Sequence, residues 1–226
     1  MLPTAPLPRR HLLRLGLAAG ATLALAGCSL AEPAPADHFY RLTVEPPVGP
    51  GGGAVAEGTV LVENVQVSGV LNQRALLWTT SGTELQQYAY HFWSEAPARA
   101  LQDAMVRALR TSGAFGEVVT PGYRQRPEWI VRGQVDRLEL IGPSGSDAGV
   151  QSARVGMTLT VTDGYGETIV LNRAYQETVP VDDGTVAAGA RALNRGVETI
   201  YGRFLADLRA ASFPPPGDRP LGRPRR

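Results

Sequence analysis

The chain has 226 residues, 22 basic against 21 acidic, for a formal charge of +1, with one cysteine and three histidines. One cysteine excludes an intramolecular disulfide, and a near-neutral balance argues against a nucleic-acid binder, whose affinity comes from clustered cations. Every basic residue is Arg and none is Lys, which reads as a compositional bias of the source and carries no function.

Arg9, Arg10 and Arg14 stand in a segment with no acidic residue before Cys28, followed by an uncharged apolar run from Leu15 to Ala26. A bilayer-spanning helix needs roughly 20 apolar residues, so this run is too short. A basic start, a short apolar middle and small residues before a break predict a secretory leader over residues 1–27. Leu25-Ala26-Gly27-Cys28 resembles a bacterial lipobox, which implies that the Cys28 sulfur takes a diacylglycerol and becomes the new N-terminus. The alternative is an N-terminal anchor helix with an incidental cysteine. Pro8 to Arg14, "PRRHLLR", resembles the twin-arginine export signal, with an ordinary charged leader as the equal alternative. In the bacterial lipoproteins that this segment resembles, Asp after the cysteine holds the protein in the inner membrane and Ser permits sorting to the outer one, so the resemblance implies that Ser29 favours the outer membrane.

Residues 28–37 then form a lipidated tether of Ala, Pro and acidic residues. Removing the leader takes the charge to −2, and setting aside the basic tail leaves about −5 on residues 28–212, a poor match for nucleic acid. With Cys28 acylated, that domain holds together by its core alone, so its patterning should be strong.

Phe39 to Val44 reads as a first strand. The Pro/Gly-rich stretch at 45–58 breaks it, and Thr59 to Gly69, rich in β-branched residues, reads as a second. Arg74–Thr80 and Glu84–Trp93 flank Ser81-Gly82-Thr83 as a hairpin, with Tyr88, Tyr90 and Phe92 on one face at period two. A helix follows, with Ser94 expected as N-cap, Glu95 beside the first turn and Pro97 inside it. Leu101, Met105 and Leu109 share a face of that helix, Asp103 and Arg107 are spaced to pair, and Gly113 ends it.

Glu128 to Ile141 is a strand whose phase slips. Trp129, Val131 and Val135 are odd, whereas Leu138 and Leu140 are even, so a bulge or sharp twist is predicted near Asp136-Arg137. Val155, Met157, Leu159 and Val161 alternate with polar or small residues as a half-buried strand, and "DGYGE" turns it back into Thr168–Val179. Asp182, Asp183 and Thr185 cap a last helix. Its apolar stripe, Val186, Ala190, Leu193, Val197, Ile200, Phe204 and Leu208, is expected to lie on the domain's own sheet, with a partner helix as the minority alternative. The fold class is therefore α/β (α+β): a single domain of mixed β-sheet with two main amphipathic helices packed on it. Residues 213–226, rich in Pro and Arg, read as an extended disordered tail.

Chemistry is scarce. His38 and His91 lack further ligands at metal spacing, and His91 reads as a half-exposed strand residue. Ser81 lacks the nucleophile elbow of hydrolases and an evident base. "GPGGG" lacks the Gly-Lys-Ser/Thr of a phosphate loop. No catalytic, cofactor or metal residues are assigned, and no enzyme activity is expected; a periplasmic hydrolase acting through Ser81 or His91 is the disfavoured reading.

Leu76 to Val119, with Leu77-Trp78, Tyr90-His91-Phe92-Trp93, Pro97, the Leu101/Met105/Leu109 helix and Ser112-Gly113-x-Phe115, is similar to the ABC-type transport auxiliary lipoproteins of the paraquat-inducible protein C type. The early Phe39-Tyr40-Arg41-Leu42 and the lipobox fit as well. The resemblance implies a non-enzymatic accessory to an ABC permease and ATPase with an MCE (mammalian cell entry) protein. Such systems move lipids between the two bacterial membranes and maintain the envelope barrier. It implies anchoring at the periplasmic face, with the outer membrane favoured, and allows assembly of copies into a ring. The alternative is a structural envelope lipoprotein of another outer-membrane assembly. Tyr88, Tyr90 and Trp93 are the candidates for a partner-facing surface, against a core role that the pattern favours.

Overall fold

The computed structural model describes residues 34–45, 53–143, 149–165 and 167–214. The leader, Cys28 and most of the tether, the Gly-rich stretch at 46–52 and the tail from 215 lie outside them. Among the described residues nine strands pair into one sheet. They are β1 His38–Tyr40, β2 Ala56–Val62, β3 Gln66–Val67, β4 Ala75–Thr79, β5 Gln86–Trp93, β6 Phe115–Val119, β7 Trp129–Ile141, β8 Ser152–Asp163 and β9 Ile169–Pro180. Two helices, α1 Pro97–Ser112 and α2 Val186–Ala210, complete a single α+β domain.

Strand β7 is the hub. Along one edge it pairs antiparallel with the whole of β8, which pairs in turn with β9. Its other edge is shared end to end by three parallel strands: β2 at Trp129–Val131, β3 at Gln134–Val135 and β4 at Leu140–Ile141. The sheet thus forks, with β2 continuing to β6 and β4 continuing through β5 to β1.

The predicted bulge is present, since the β7–β8 register shifts between Val135 and Arg137. The slip carries Val131 and Val135 and then Leu138 and Leu140 into the same core. Gly156 lies opposite, where a Cβ would come 2.9 Å from Arg137 Cγ. The bulge and the small residue facing it are one feature.

The stripe on α2 is buried throughout, Val186 to Leu208, and packs on the domain's own sheet. The contact is close at Gly189, where an added Cβ would stand 2.8 Å from Leu140 Cδ1. Thr185 is the N-cap: its hydroxyl accepts the N–H of Ala188 (3.1 Å), while Asp183 accepts the Thr185 N–H (2.9 Å). Helix α1 buries Leu101, Met105 and Leu109 and ends at Gly113 in the left-handed region, φ 61°. The Tyr201 hydroxyl donates to the Leu101 carbonyl (3.0 Å) and joins the two helices.

Several local expectations are corrected. Ser94 is not the α1 cap; Ala96 is, and it offers no side-chain bond. Asn72, from a 3-10 turn at Gly69–Asn72, instead accepts the Ala98 N–H (3.1 Å). Asp103 pairs with Arg99 (3.3 Å), the residue a turn earlier, not with Arg107. The first strand stops at Tyr40, because α2 takes up the backbone beyond it: Asn194 donates to the Arg41 carbonyl and Glu198 accepts the Glu45 N–H (both 3.1 Å). The second predicted strand is split into β2 and β3, and Glu63, in the gap, meets Arg132 in two bonds of 2.9 and 3.0 Å. Phe213, expected at the head of the tail, packs its ring edge-on against Trp129 and Phe115, with centroids 4.9 and 5.8 Å away.

Candidate interaction surface

The aromatic strand β5 does not alternate as its sequence suggests. Its register with β4 runs Trp78–Gln86 and Leu77–Gln87, then resumes at Ala75–Phe92. Four residues of β5 therefore oppose one of β4. Three extra residues are an odd number, so the side chains change face. Tyr88 (2 % exposed), His91 (5 %) and Trp93 (3 %) point inward, while Tyr90 (38 %) points out. Of the three partner-surface candidates, Tyr88 and Trp93 are core residues and only Tyr90 presents area to a partner.

His91 is buried, which corrects the half-exposed expectation. Its Nδ1 lies 2.8 Å from the Tyr40 hydroxyl, and its ring stacks on exposed His38 at 5.0 Å across the parallel β1–β5 pair. The two histidines come together as a stack, which mortises the short edge strand to the sheet. Among the described residues no group of three His, Cys, Asp or Glu is placed to hold a metal ion.

Ser81 sits in the turn of the β4–β5 hairpin, where its hydroxyl accepts the Thr83 N–H (3.3 Å). The adjacent Gly82 takes φ 78°. Asp163 is likewise a turn residue, accepting the Glu167 N–H (2.9 Å). Burial pushes its carboxyl up, but backbone bonds from Thr168 and Glu167 outweigh this and hold it below the usual range.

Two features were missed in the sequence. The first is Glu139, fully buried at 0 % exposure, with neither carboxylate oxygen hydrogen-bonded. Arg154, directly across the β7–β8 pair, and Arg137 stand 3.6 and 3.7 Å from its Oε1. Arg137 also reaches the Gly82 carbonyl (3.5 Å), so the hairpin turn meets this cluster. Burial raises the Glu139 pKa, and attraction from Arg137 and then Arg154 offsets that only partly. The even phase of Leu138 and Leu140 puts Glu139 on the face away from them; the closure over it depends on a turn more than fifty residues earlier.

The second is an aromatic edge. Phe39 on β1 is 58 % exposed, and its ring meets that of Phe92 at 5.7 Å. Arg74 lies over the Phe39 ring, 5.6 Å from its centroid, with its Nε bonded to the Trp93 carbonyl (3.0 Å). Asp37, Phe39, Gln73, Arg74, Ala75 and Phe92 line a cleft of about 450 Å³ there, within the size of ligand-holding hollows. Alternation alone cannot reveal this edge, since Phe39 comes to Phe92 from another strand.

Residues 40–202 match the model of the ABC-type transport auxiliary lipoprotein component. The chain belongs to that family. The match runs from the end of β1 to two-thirds of the way along α2, so this auxiliary lipoprotein domain is the folded unit just described. A crystal structure of a protein from Xanthomonas campestris shares the fold at TM-score 0.64 and 19 % identity, covering 74 % of this chain and 91 % of that one. An uncharacterized protein aligns at TM-score 0.61 and 10 % identity, over 77 % and 99 % of the two chains. PelC from Paraburkholderia phytofirmans, solved as a dodecamer, aligns at TM-score 0.43 and 15 % identity, over 71 % and 95 %. No curated protein matches the sequence. Among the described residues no helix of this auxiliary lipoprotein is long and apolar enough to cross a membrane.

Proposed function

We propose that this auxiliary lipoprotein is moored by acyl chains on Cys28 to the periplasmic face of the bacterial outer membrane. There it serves an ABC transport system whose substrate-binding subunit is of MCE type. Its part is to hold the far end of a lipid conduit by binding partner subunits, as a single copy or as a ring of copies. The family match over residues 40–202 carries the reading. The leader ending at Leu25-Ala26-Gly27-Cys28 and Ser29 support it.

The physical logic is one of solvation. An acyl chain crossing an aqueous periplasm exposes apolar area at about 25 cal/mol per Å², so lipids travel between membranes inside protein. Such a conduit needs a fixed end. Each buried methylene of an anchor contributes about 0.8 kcal/mol, and two or more chains hold a protein firmly where one does not. ATP hydrolysis belongs to the ATPase subunit, and this chain contributes contacts.

The test is affinity purification of the full chain from its own envelope in mild detergent. The expected result is co-purification of an MCE protein with its permease and ATPase. Repeated recovery without them, or with another outer-membrane assembly, overturns the transport role in favour of a structural one. Mass spectrometry of the same sample is expected to show diacylglycerol on Cys28 and no residues before it.

A further inference from the structure

We propose that the aromatic edge formed by Phe39, Tyr90 and Phe92, with Arg74 beside it, rests in the interfacial layer of the phospholipid bilayer that holds the Cys28 acyl chains. The proposal builds on the anchoring read above, and adds which face of the domain the membrane sees.

Three observations converge on this edge. Phe39 and Tyr90 are two of the five large apolar side chains standing well exposed among the described residues. Phe92 joins them: it lies two residues from Tyr90 on the same strand face and touches the Phe39 ring. The cation is held in place, since Arg74 is fixed by the Trp93 carbonyl and stacked over Phe39. Aromatic rings with an arginine among them match the chemistry of the headgroup layer, where amphipathic rings settle and the guanidinium stays in the polar zone.

The length of the tether selects the bilayer as occupant. Phe39 follows Cys28 by eleven residues, which at ~3.3–3.6 Å each span at most about 40 Å even fully extended. The edge therefore never leaves the neighbourhood of the lipid to which the chain is tied. The other exposed aromatic–aliphatic pair, Tyr165 and Ile169, belongs to the turn joining β8 to β9. That turn meets the Trp129 end of β7, whereas Phe92 lies level with its Arg137 region. About eight residues of strand, roughly 26 Å, separate them along β7.

The experiment reads depth by fluorescence. The full chain, processed and acylated in its host, is reconstituted into phosphatidylethanolamine–phosphatidylglycerol vesicles with or without brominated acyl chains. Phe39→Trp, Tyr90→Trp and Ile169→Trp are compared with the parent, whose Trp78, Trp93 and Trp129 are buried and supply the background. With rings seated ~5–10 Å into the boundary layer, the emission added by Phe39→Trp and by Tyr90→Trp is expected to fall about two-fold in brominated vesicles. The emission added by Ile169→Trp should be unchanged.

Vesicle flotation separates the two levels. A chain that floats while both edge probes stay unquenched keeps its anchor and loses the proposed face. A chain that does not float, with Cys28 unmodified by mass spectrometry, removes the anchor and the face together. Unquenched probes whose emission moves to the blue as chain concentration rises assign the edge to a second copy, and overturn the membrane reading.

Discussion

Glu139→Gln is expected to stabilise the domain at neutral pH. The side chain is fully buried and neither oxygen receives a hydrogen bond, while its two cationic neighbours sit at 3.6 and 3.7 Å. Both arginines are partly exposed, so water screens them and keeps them solvated once the charge is gone. A buried polar group without a partner costs about 1–3 kcal/mol, more when charged. The arginines return part of this, and a net gain of about 1 kcal/mol is the expectation, or roughly 2–4 °C in Tm for a domain of this size. The sign follows from linkage. Burial raises the Glu139 pKa above its ordinary 4.5, so between those values the folded chain binds more protons than the unfolded one, and stability falls as pH rises. Glutamine has no such slope. Thermal unfolding of the detergent-solubilised chain, followed by circular dichroism from pH 5 to 8, should therefore show the variant's advantage growing with pH and then levelling off. A variant less stable than the parent at pH 7 would mean that the ion pairs outweigh burial, and parallel pH profiles would mean that no proton is linked there.

Three further substitutions test the frame. Gly164→Ala should lower Tm by about 4–12 °C, from an overpacking cost of about 2–3 kcal/mol, because its Cβ would run into the backbone carbonyl of Pro127 and no rotamer relieves that. Tyr201→Phe should cost about 1 kcal/mol in urea unfolding, through loss of the bond to Leu101 that ties α2 to α1; no loss would show that bond to be idle. Thr185→Ala should cost about 1 kcal/mol, and Thr185→Ser should recover most of it, since the hydroxyl is what accepts the Ala188 N–H.

Much of the architecture was legible wherever one face of an element decides its placement. The α2 stripe is one unbroken series, and a helix with such a stripe has one stable arrangement on a sheet. The bulge in β7 was legible for the same reason: a phase slip in a strand that must stay buried can be absorbed only by an extra residue. The failures lie where a distant group settles a local question. The α1 cap moved because Asn72, twenty-six residues before Ala98, supplies that residue's N–H with the bond that Ser94 was expected to make. The first strand was cut short because Asn194 and Glu198 take its backbone groups. Neither contact has a local signature.

Strand β5 shows why the surface was harder to read than the core. A period of two puts Tyr88, Tyr90 and Phe92 on one face, and burial would then make all three core or all three surface. The three-residue mismatch with β4 divides them, keeping Tyr88 inside, leaving Tyr90 exposed and setting Phe92 against the Phe39 ring. A regular strand of this composition would bury its aromatic face and leave a polar edge. The irregular one spends part of its aromatic content on an exposed edge that contributes less to the core than burial would. Burying a Phe in full is worth about 1.5–3 kcal/mol, so leaving Phe39 58 % exposed forgoes a real fraction of that unless another apolar phase covers it. On the anchoring proposed above, Cys28 carries acyl chains eleven residues away in the sequence, and the bilayer they would enter is the phase nearest to hand.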